Sequence, residues 1–262
     1  MDLELRALRA ITTRLPRLKG AGIAGNVARD LYARRDRPRV VVPVRGVLME
    51  LDPRENVDGS LLFCPQLYDR RELSVLLGAL RPGDVFADVG SHIGLYALLA
   101  AGRVVPGGRV IAIEADPRTH ERLVGNIARN PSLSIDPVCV AVSDAEGTAR
   151  LALNTSGNRA GNSLLVPGDD AIDVPCKTLA GILAERGIER VDAMKLDVEG
   201  MEFRILTRYL ADVPEPRRPR VVVLEHQERW IETAGGDAVG LLLGAGYRQV
   251  MATGVNRVLV GG

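Results

Sequence analysis

Five short apolar runs divide the central part of the chain, and most of them are separated by stretches with helical periodicity. The apolar runs span 85–88, 109–114, 137–142, 192–197 and 220–225. The helical stretches span 94–102, 117–129, 178–186 and 199–210. Strands that alternate with helices predict an α/β fold whose mostly parallel sheet is doubly wound, with helices on both faces.

Two further apolar runs close the chain, Tyr247–Ala252 and Val255–Val260, and only Thr253-Gly254 separates them. Runs joined this tightly are typical of a β-hairpin. We therefore expect the Rossmann-like sheet to end with an antiparallel strand.

One segment interrupts the alternation of strands and helices. Thr148–Leu153 and Ala171–Cys176 are both strand-like, and residues 154–163 between them are rich in Gly, Asn and Ser. This pattern predicts a hairpin inserted at about 148–176. Long loops in compact domains are often functional, so the loop is a candidate lid on the substrate side.

The first 67 residues are predicted to form an extension. Residues 3–35 have a helical pattern with breaks at Pro16 and Gly20–Gly25, and Val40–Leu51 is expected to form a hairpin that turns at Arg45-Gly46. A further helix is predicted over 69–80. We expect residues 1–67 to cover the substrate or form a dimer interface, and residues 68–262 to form the cofactor-binding domain.

Charge is distributed unevenly between these two parts. Residues 1–40 carry ten Lys/Arg and four Asp/Glu, whereas the rest of the chain has a net charge of −5. The basic segment could face an acidic substrate, an anionic membrane or a partner protein, but a solvated helix face is the favoured interpretation. The net charge of +1 and an aromatic content of 3% argue against a nucleic-acid partner.

The cysteines and the hydropathy pattern indicate where the protein works. Cys64, Cys139 and Cys176 have no CxxC spacing, which predicts reduced thiols in a cytoplasmic protein. No apolar run reaches 18 residues, and Asp2, Glu4 and other charged residues interrupt the N-terminus. We therefore expect neither a membrane span nor a signal peptide.

A glycine turn follows the first central strand directly. The turn contains Gly90 and Gly94, but His92 occupies the place where a dinucleotide-binding turn has its second glycine. A bulky residue there disfavours a pyrophosphate and favours S-adenosylmethionine. We expect Asp88 to bind the ammonium group of that cofactor, and the helix that starts near Ile93 to bind its carboxylate.

Acidic residues also follow the next two strands. Glu114 is expected to accept hydrogen bonds from both ribose hydroxyls. Asp144 is expected to bind the adenine amine, with Ser143 beside a ring nitrogen. The carboxyl ends of parallel strands are where open α/β sheets bind ligands, so three strand-end acids favour a binding site over solvated carboxylates.

The run Lys195-Leu-Asp-Val-Glu-Gly-Met-Glu202 carries the strongest family signal. Together with Asp88–Tyr96, Ile113-Glu114, Asn126 and Ala141–Asp144, it resembles the FkbM family of methyltransferases over about residues 82–247. The resemblance implies a class I methyltransferase fold, S-adenosylmethionine as cofactor, and transfer to a hydroxyl of a sugar or natural product. It differs from the family pattern at His92, where Asn is common, and at Ala180, where Asp is common.

With this assignment the candidate residues fall into two groups. The predicted cofactor-binding residues are Asp88, Gly90, Ser91, His92, Gly94, Tyr96, Glu114, Ala115, Ser143, Asp144 and Asp197. The predicted catalytic residues are Asp197, Glu199, Glu225 and His226. Asp197 and Glu199 are expected to shape the acceptor site, with Glu225 or His226 as the base and His92 as a further candidate base. Glu199 could instead cap its helix, and His226 could be purely structural.

Three alternatives stay open from the sequence. Asp197, Glu199 and Glu225 could offer oxygen ligands to Mg²⁺, but no spacing compels this and we predict no metal centre. An NAD(P)-dependent oxidoreductase could share the sheet. A non-catalytic S-adenosylmethionine-binding subunit of a larger assembly would also keep the strand-end acids.

Overall fold

The computed structural model describes residues 3–14, 21–33, 38–154, 161–165 and 170–261. The helices in this part of the chain are α1 (Leu3–Thr12), α2 (Ala21–Ala33), α3 (Asn56–Phe63), α4 (Arg70–Ala79), α5 (Leu95–Val104), α6 (Pro117–Ala128), α7 (Leu179–Glu185), α8 (Glu202–Asp212), α9 (Glu228–Ala234) and α10 (Ala238–Gly244). The strands are β1 (Val40–Val44), β2 (Val47–Leu51), β3 (Val85–Val89), β4 (Arg109–Glu114), β5 (Ile135–Cys139), β6 (Ala141–Ser143), β7 (Gly147–Ala152), β8 (Ala171–Thr178), β9 (Ala193–Leu196), β10 (Val221–Glu225), β11 (Arg248–Thr253) and β12 (Asn256–Val260).

Seven strands form the central sheet in the order β11-β12-β10-β9-β3-β4-β5. The five strands from β10 to β5 pair in parallel, and β12 pairs antiparallel with both β10 and β11. The predicted mostly parallel sheet and its terminal antiparallel strand are therefore confirmed. The strand order reverses between β3 and β9, and such a switch point leaves a crevice at the carboxyl ends of the strands.

Alternate side chains of the central strands are buried in two cores, one on each face of the sheet. Phe86 packs in the core that includes α5, whereas its neighbours Ala87 and Val89 pack in the core that includes α8. Successive residues of a strand point to opposite faces, so apolar runs such as β3 and β10 fill both cores. The doubly wound arrangement follows directly from this pattern.

The apolar run at 137–142 is divided between two sheets, so the single strand predicted there is wrong. β5 ends at Cys139, and the Val140 amide donates to the Glu114 carbonyl at 3.2 Å. The chain then leaves the central sheet, and β6 pairs in parallel with β8, which also pairs antiparallel with β7. The two strands predicted for the inserted hairpin thus form, but they build a separate three-stranded sheet.

Three helices were not predicted from the pattern, namely α3, α9 and α10. The helix predicted to start at 199 starts at Glu202, because the intervening residues form a turn with Glu199 and Gly200 at positive φ. The predicted helix break at Pro16 and most of the inserted loop lie outside the described residues. The break predicted over Gly20–Gly25 is wrong from residue 21 onward, because Ala21–Ala33 forms α2.

The N-terminal extension packs on the same core as the central sheet. Leu5, Tyr32 and Leu61 are buried in one cluster with Phe86 and Tyr96. A buried ion pair between Asp58 on α3 and Arg122 on α6 links the two parts further. The extension therefore forms one wall of the crevice, while the domain boundary at residue 67 stays a prediction.

None of the helices in the described ranges is long and apolar enough to cross a membrane. Cys64, Cys139 and Cys176 are free thiols. Burial raises the pKa of all three, so each favours its neutral form.

Candidate active site

A large cavity opens at the carboxyl ends of β3, β4, β9 and β10, beside the switch point of the sheet. Its volume is about 260 Å³, and it opens to solvent at its mouth. Its polar lining residues are Tyr68, Asp69, Ser91, His92, Tyr96, Glu114, Asn162, Lys195, Asp197, Glu199, Glu225 and Asn256.

The turn after β3 forms one end of the cavity. Gly90 has a φ of +78°, and an added Cβ would clash with the carbonyl oxygen of Asp197, so only glycine fits there. The Gly90 amide donates to the Ile113 carbonyl at 3.0 Å, and the Ser91 hydroxyl donates to the Asp88 carbonyl at 2.7 Å. The predicted residues Gly90 and Ser91 thus lie in a turn that is held by both neighbouring strands.

Glu114 lies beside this turn and lines the cavity together with Ala115, as the sequence predicts. Its Oε2 accepts from the His92 amide and its Oε1 from the Asp116 amide, each at 2.9 Å. Burial nevertheless raises the pKa of Glu114 to about 7. Each carboxylate oxygen keeps a further acceptor site, which is what two ribose hydroxyls need.

His92 also lines the cavity, with a backbone φ of +50°. Burial, reinforced by the positive charges of Arg122 and Lys195, lowers the pKa of His92 to about 3. The imidazole is therefore neutral at physiological pH. The Asn126 side chain fixes Ile93, the residue after His92. Its Nδ2 donates to the Ile93 carbonyl at 3.0 Å, and its Oδ1 accepts from the Glu50 backbone amide at 2.7 Å.

Asp88 and Gly94 support the turn from outside the cavity. Asp88 is fully buried, and its Oδ2 accepts from the Ala97 amide in the first turn of α5 at 3.0 Å. Burial raises the pKa of Asp88 to about 6. Gly94 lies under Leu123, whose Cδ1 would be 2.6 Å from an added Cβ. The cofactor contacts predicted for both residues stay predictions.

Ser143 and Asp144 also lie outside the cavity, because β6 carries them into the smaller sheet. The Ser143 hydroxyl donates to Asp144 Oδ1 at 3.0 Å, and Asp144 is exposed. The cavity wall at this point is apolar instead and consists of Val140, Ala141 and Val142. The adenine contacts predicted for the polar pair are not supported by their positions.

Lys195 joins the two ends of the cavity. Its Nζ lies 3.0 Å from Asp197 Oδ2 and donates to the Gly90 carbonyl at 3.2 Å. Burial alone would lower the pKa of Lys195, but the carboxylates of Asp197 and Asp88 raise it above its ordinary value. The ammonium group therefore stays charged and holds Asp197 beside the glycine turn.

Three carboxylates form the other end of the cavity. Oxygens of Asp197, Glu199 and Glu225 lie within 4.8 Å of one another, close enough to hold a cation. Burial and the neighbouring carboxylates raise the pKa of Glu199 to about 7 and that of Glu225 to about 8. Glu225 Oε1 accepts from the side-chain Nε2 of Gln227, whereas its buried Oε2 has no hydrogen-bond partner in the described part of the chain.

His226 does not reach this cluster, although it follows Glu225 in sequence. Its side chain lines a small neighbouring cavity, and its Nδ1 lies 3.5 Å from Asp237 Oδ1. Glu202 is also structural, because its carboxylate accepts from the amides of Val198 and Gly200, both at 2.9 Å. Of Glu225 and His226, only Glu225 lies at this cavity; His92 also lines it, but its lowered pKa makes it a weak base.

Residues 88–249 match the Methyltransferase FkbM domain family, which is more than half of the chain. The chain belongs to the FkbM methyltransferase family. Its fold is that of an S-adenosylmethionine-dependent methyltransferase, and this assignment does not favour the oxidoreductase alternative.

Two named relatives are similar to this chain in sequence, and one solved structure is similar to it in fold. The 31-O-demethyl-FK506 methyltransferase FkbM of Streptomyces tacrolimicus is 31% identical over 201 residues, which cover 65% of this chain and 75% of that protein. Methyltransferase sdnD of Sordaria araneosa is 31% identical over 152 residues, covering 45% of this chain and 58% of that protein. The structure of methyltransferase FkbM from Methylobacillus flagellatus has a TM-score of 0.49 at 15% identity, over 92% of this chain and 60% of the other.

Several residues of this FkbM-family site were not predicted from the sequence. Tyr68 and Asp69 enter the cavity from the segment before the family match, and Asn162 enters from the inserted segment. The Tyr96 hydroxyl donates to Asp69 Oδ2 at 3.0 Å. The pattern around Asp69 indicates only a helix start, so it carried no signal for a binding residue.

Proposed function

We propose that the protein transfers a methyl group from S-adenosylmethionine to a hydroxyl oxygen of a sugar or natural-product small molecule in the cytoplasm. The observation that carries this proposal is the carboxylate cluster of Asp197, Glu199 and Glu225. This cluster, the acceptor end, lines the same cavity as the glycine turn and Glu114, which form the cofactor end. A hydroxyl nucleophile needs a group that accepts its proton, and the cluster offers one. The Streptomyces relative is named for an O-demethylated acceptor, which agrees with transfer to oxygen.

The cofactor end fits S-adenosylmethionine. Gly90, Ser91 and Ala115 bring backbone groups to the cavity, and Glu114 offers acceptors to the ribose. The cofactor supplies an electrophilic methyl group on sulfur. Lys195 pairs with Asp197 and donates to the Gly90 carbonyl, which holds the Asp197 side chain between the cofactor and the acceptor.

Glu225 is the base in this proposal. Its Oε2 is buried and has no partner among the described residues, so it can accept the acceptor's hydroxyl proton. As that proton moves to Glu225, the oxygen forms a bond to the methyl carbon and the carbon–sulfur bond breaks. The products are the methyl ether, S-adenosylhomocysteine and a protonated Glu225, which later returns its proton to solvent.

We expect this reaction to need no metal ion. Cations already neutralise two members of the cluster, because Lys195 pairs with Asp197 and Arg229 Nη2 lies 3.6 Å from Glu199 Oε2. Turnover should therefore be unchanged in excess EDTA. Loss of turnover in EDTA that Mg²⁺ restores would instead assign the cluster to a metal.

The proposal is tested with cofactor that carries a trideuterated methyl group and a panel of sugars and polyketide alcohols, analysed by mass spectrometry. We expect a mass gain of one labelled methyl on a hydroxyl acceptor and none on its O-blocked counterpart. Label on nitrogen or carbon acceptors alone would contradict O-methylation. Cofactor binding without turnover over the whole panel would favour the non-catalytic subunit. Self-association through the extension stays a separate prediction.

A further inference from the structure

Asp69 occupies the N-cap position of α4 but does not cap that helix. It has a φ of +40°, which is unusual for a residue other than glycine, and its side chain accepts no hydrogen bond from the helix amides. Asp116 and Asp237 show the usual behaviour, because they accept from the amides of Arg118 and Val239 at their own helix starts. The Asp69 carboxylate is directed elsewhere.

The carboxylate is directed to Tyr96. The Tyr96 hydroxyl donates its only proton to Asp69 Oδ2 at 3.0 Å, and both residues line the cavity. Tyr96 is 4% exposed, so its ring is held firmly in the wall. Because the Tyr96 hydroxyl donates its proton to Asp69, its oxygen can act only as an acceptor toward the cavity. There it can accept a hydrogen bond or attract a positively polarised group.

The Tyr96 ring lies at the junction between the two ends of the cavity. Lys195 Nζ is 5.1 Å from the ring centroid, and the same ammonium contacts the Gly90 carbonyl and Asp197. The glycine turn and Asp197, which Lys195 links, border the cavity where its two ends meet. A methyl group that passes from the cofactor to an acceptor at the carboxylate cluster crosses this junction, so in the proposed complex the sulfur that carries it lies near this ring.

Charge also favours a cation at this position. Asp197 neutralises Lys195 directly, whereas Asp69 forms no salt bridge with any residue in the described ranges. The negative charge of Asp69 polarises the Tyr96 hydroxyl through their hydrogen bond, so the Tyr96 oxygen attracts a positive group. A neutral group gains no such attraction.

We propose that Asp69 and Tyr96 form a sulfonium-recognition pair, which strengthens binding of the charged S-adenosylmethionine but not of its neutral thioether product. Tyr96 contacts the cofactor, and Asp69 is a positioning residue that acts through it. The pair would help the product leave after transfer. This inference rests on the proposed use of S-adenosylmethionine in this cavity, and it assigns a role to Asp69, which lies outside the family match at 88–249.

Calorimetric titration of each variant with S-adenosylmethionine and with S-adenosylhomocysteine tests the pair without any acceptor. For Tyr96→Phe we expect about tenfold weaker S-adenosylmethionine binding, the usual scale for a lost hydrogen bond to a charged group, and less than about a twofold change for S-adenosylhomocysteine. Asp69→Asn keeps an oxygen that can accept the Tyr96 proton but removes the negative charge. Its loss of affinity should therefore be smaller than that of Tyr96→Phe and again confined to S-adenosylmethionine.

Tyr247→Phe is the matched control. It removes a buried hydrogen bond outside the cavity, from the Tyr247 hydroxyl to the Pro219 carbonyl at 2.7 Å. The ratio of the affinities for the two ligands should therefore stay unchanged. Equal losses of affinity for both ligands in Tyr96→Phe and Asp69→Asn, or no loss of affinity, would overturn the proposed role of the pair. Failure of the unaltered protein to bind either ligand would instead overturn the proposed function.

A second measurement uses the unaltered protein and so does not depend on variants that fold. Sinefungin carries a protonated amine where S-adenosylmethionine carries its sulfonium. If the pair recognises positive charge, sinefungin should bind at least about as tightly as S-adenosylmethionine and more tightly than S-adenosylhomocysteine. Sinefungin affinity at or below that of S-adenosylhomocysteine would contradict the inference.

Discussion

The two ends of the cavity satisfy their polar groups in different ways. At the cofactor end, both oxygens of Glu114 accept backbone amides, and the Ser91 hydroxyl donates to a carbonyl. At the acceptor end, Glu225 Oε2 has no hydrogen-bond partner among the described residues, and Glu199 forms a long ion pair of 3.6 Å with Arg229. Groups that are fixed by the fold suit a constant ligand, whereas unsatisfied buried carboxylates are ready to take a proton.

The largest effect is expected at the acceptor end. Glu225→Gln removes the proposed base and should lower kcat by about 10²–10⁴-fold, the usual contribution of general base catalysis. Affinity for S-adenosylhomocysteine should be unchanged, because Glu225 serves the acceptor. The measurement is turnover with a responsive acceptor from the screened panel.

His226→Gln is the matched control for Glu225→Gln. His226 is the next residue in sequence, but its side chain lines a different cavity. It should retain nearly full turnover. An equal loss in both variants would show that the strand end, and not the Glu225 carboxylate, supports the reaction.

A smaller effect is expected from pH alone. Burial and its carboxylate neighbours raise the pKa of Glu225 to about 8, and only the ionised form can accept the proton. kcat/KM should therefore rise with pH, by up to about tenfold per unit, until it levels off above about pH 8. A profile from pH 5.5 to 9.5 checks this, and a profile that is flat between pH 6 and 8 would exclude Glu225 as the base.

The smallest effect is expected at the cofactor end. Glu114→Ala should weaken S-adenosylhomocysteine binding by about 1.5–3 kcal/mol, as for lost hydrogen bonds to a charged group. Asp144→Ala, at the exposed acid outside the cavity, should bind normally in the same calorimetric experiment. Normal binding by Glu114→Ala would mean that the ribose lies elsewhere.

The sequence was sufficient to predict the central parallel strands and most of the polar residues at their carboxyl ends. Buried parallel strands are continuous apolar runs, so β3, β4, β9 and β10 could be located, and with them Glu114, Asp197 and Glu225. The division at Val140 could not be predicted, because the hydrophobic run continues from β5 into β6. The positions of Ser143 and Asp144 were misjudged for that reason.

Contacts between distant segments could not be predicted either. Asp69 precedes Tyr96 by 27 residues, and nothing in either local pattern indicates their hydrogen bond. His226 and Glu225 are neighbours in the chain, yet successive residues at a strand end point in different directions, and only Glu225 reaches the cavity.

Calorimetric titration with S-adenosylhomocysteine and, in parallel, with NAD⁺ is the most direct test of the cofactor, on which the proposed role of every residue in the cavity depends. We expect micromolar S-adenosylhomocysteine binding, about −8 kcal/mol, and no heat from NAD⁺. Binding of NAD⁺ without binding of S-adenosylhomocysteine would contradict S-adenosylmethionine as the cofactor.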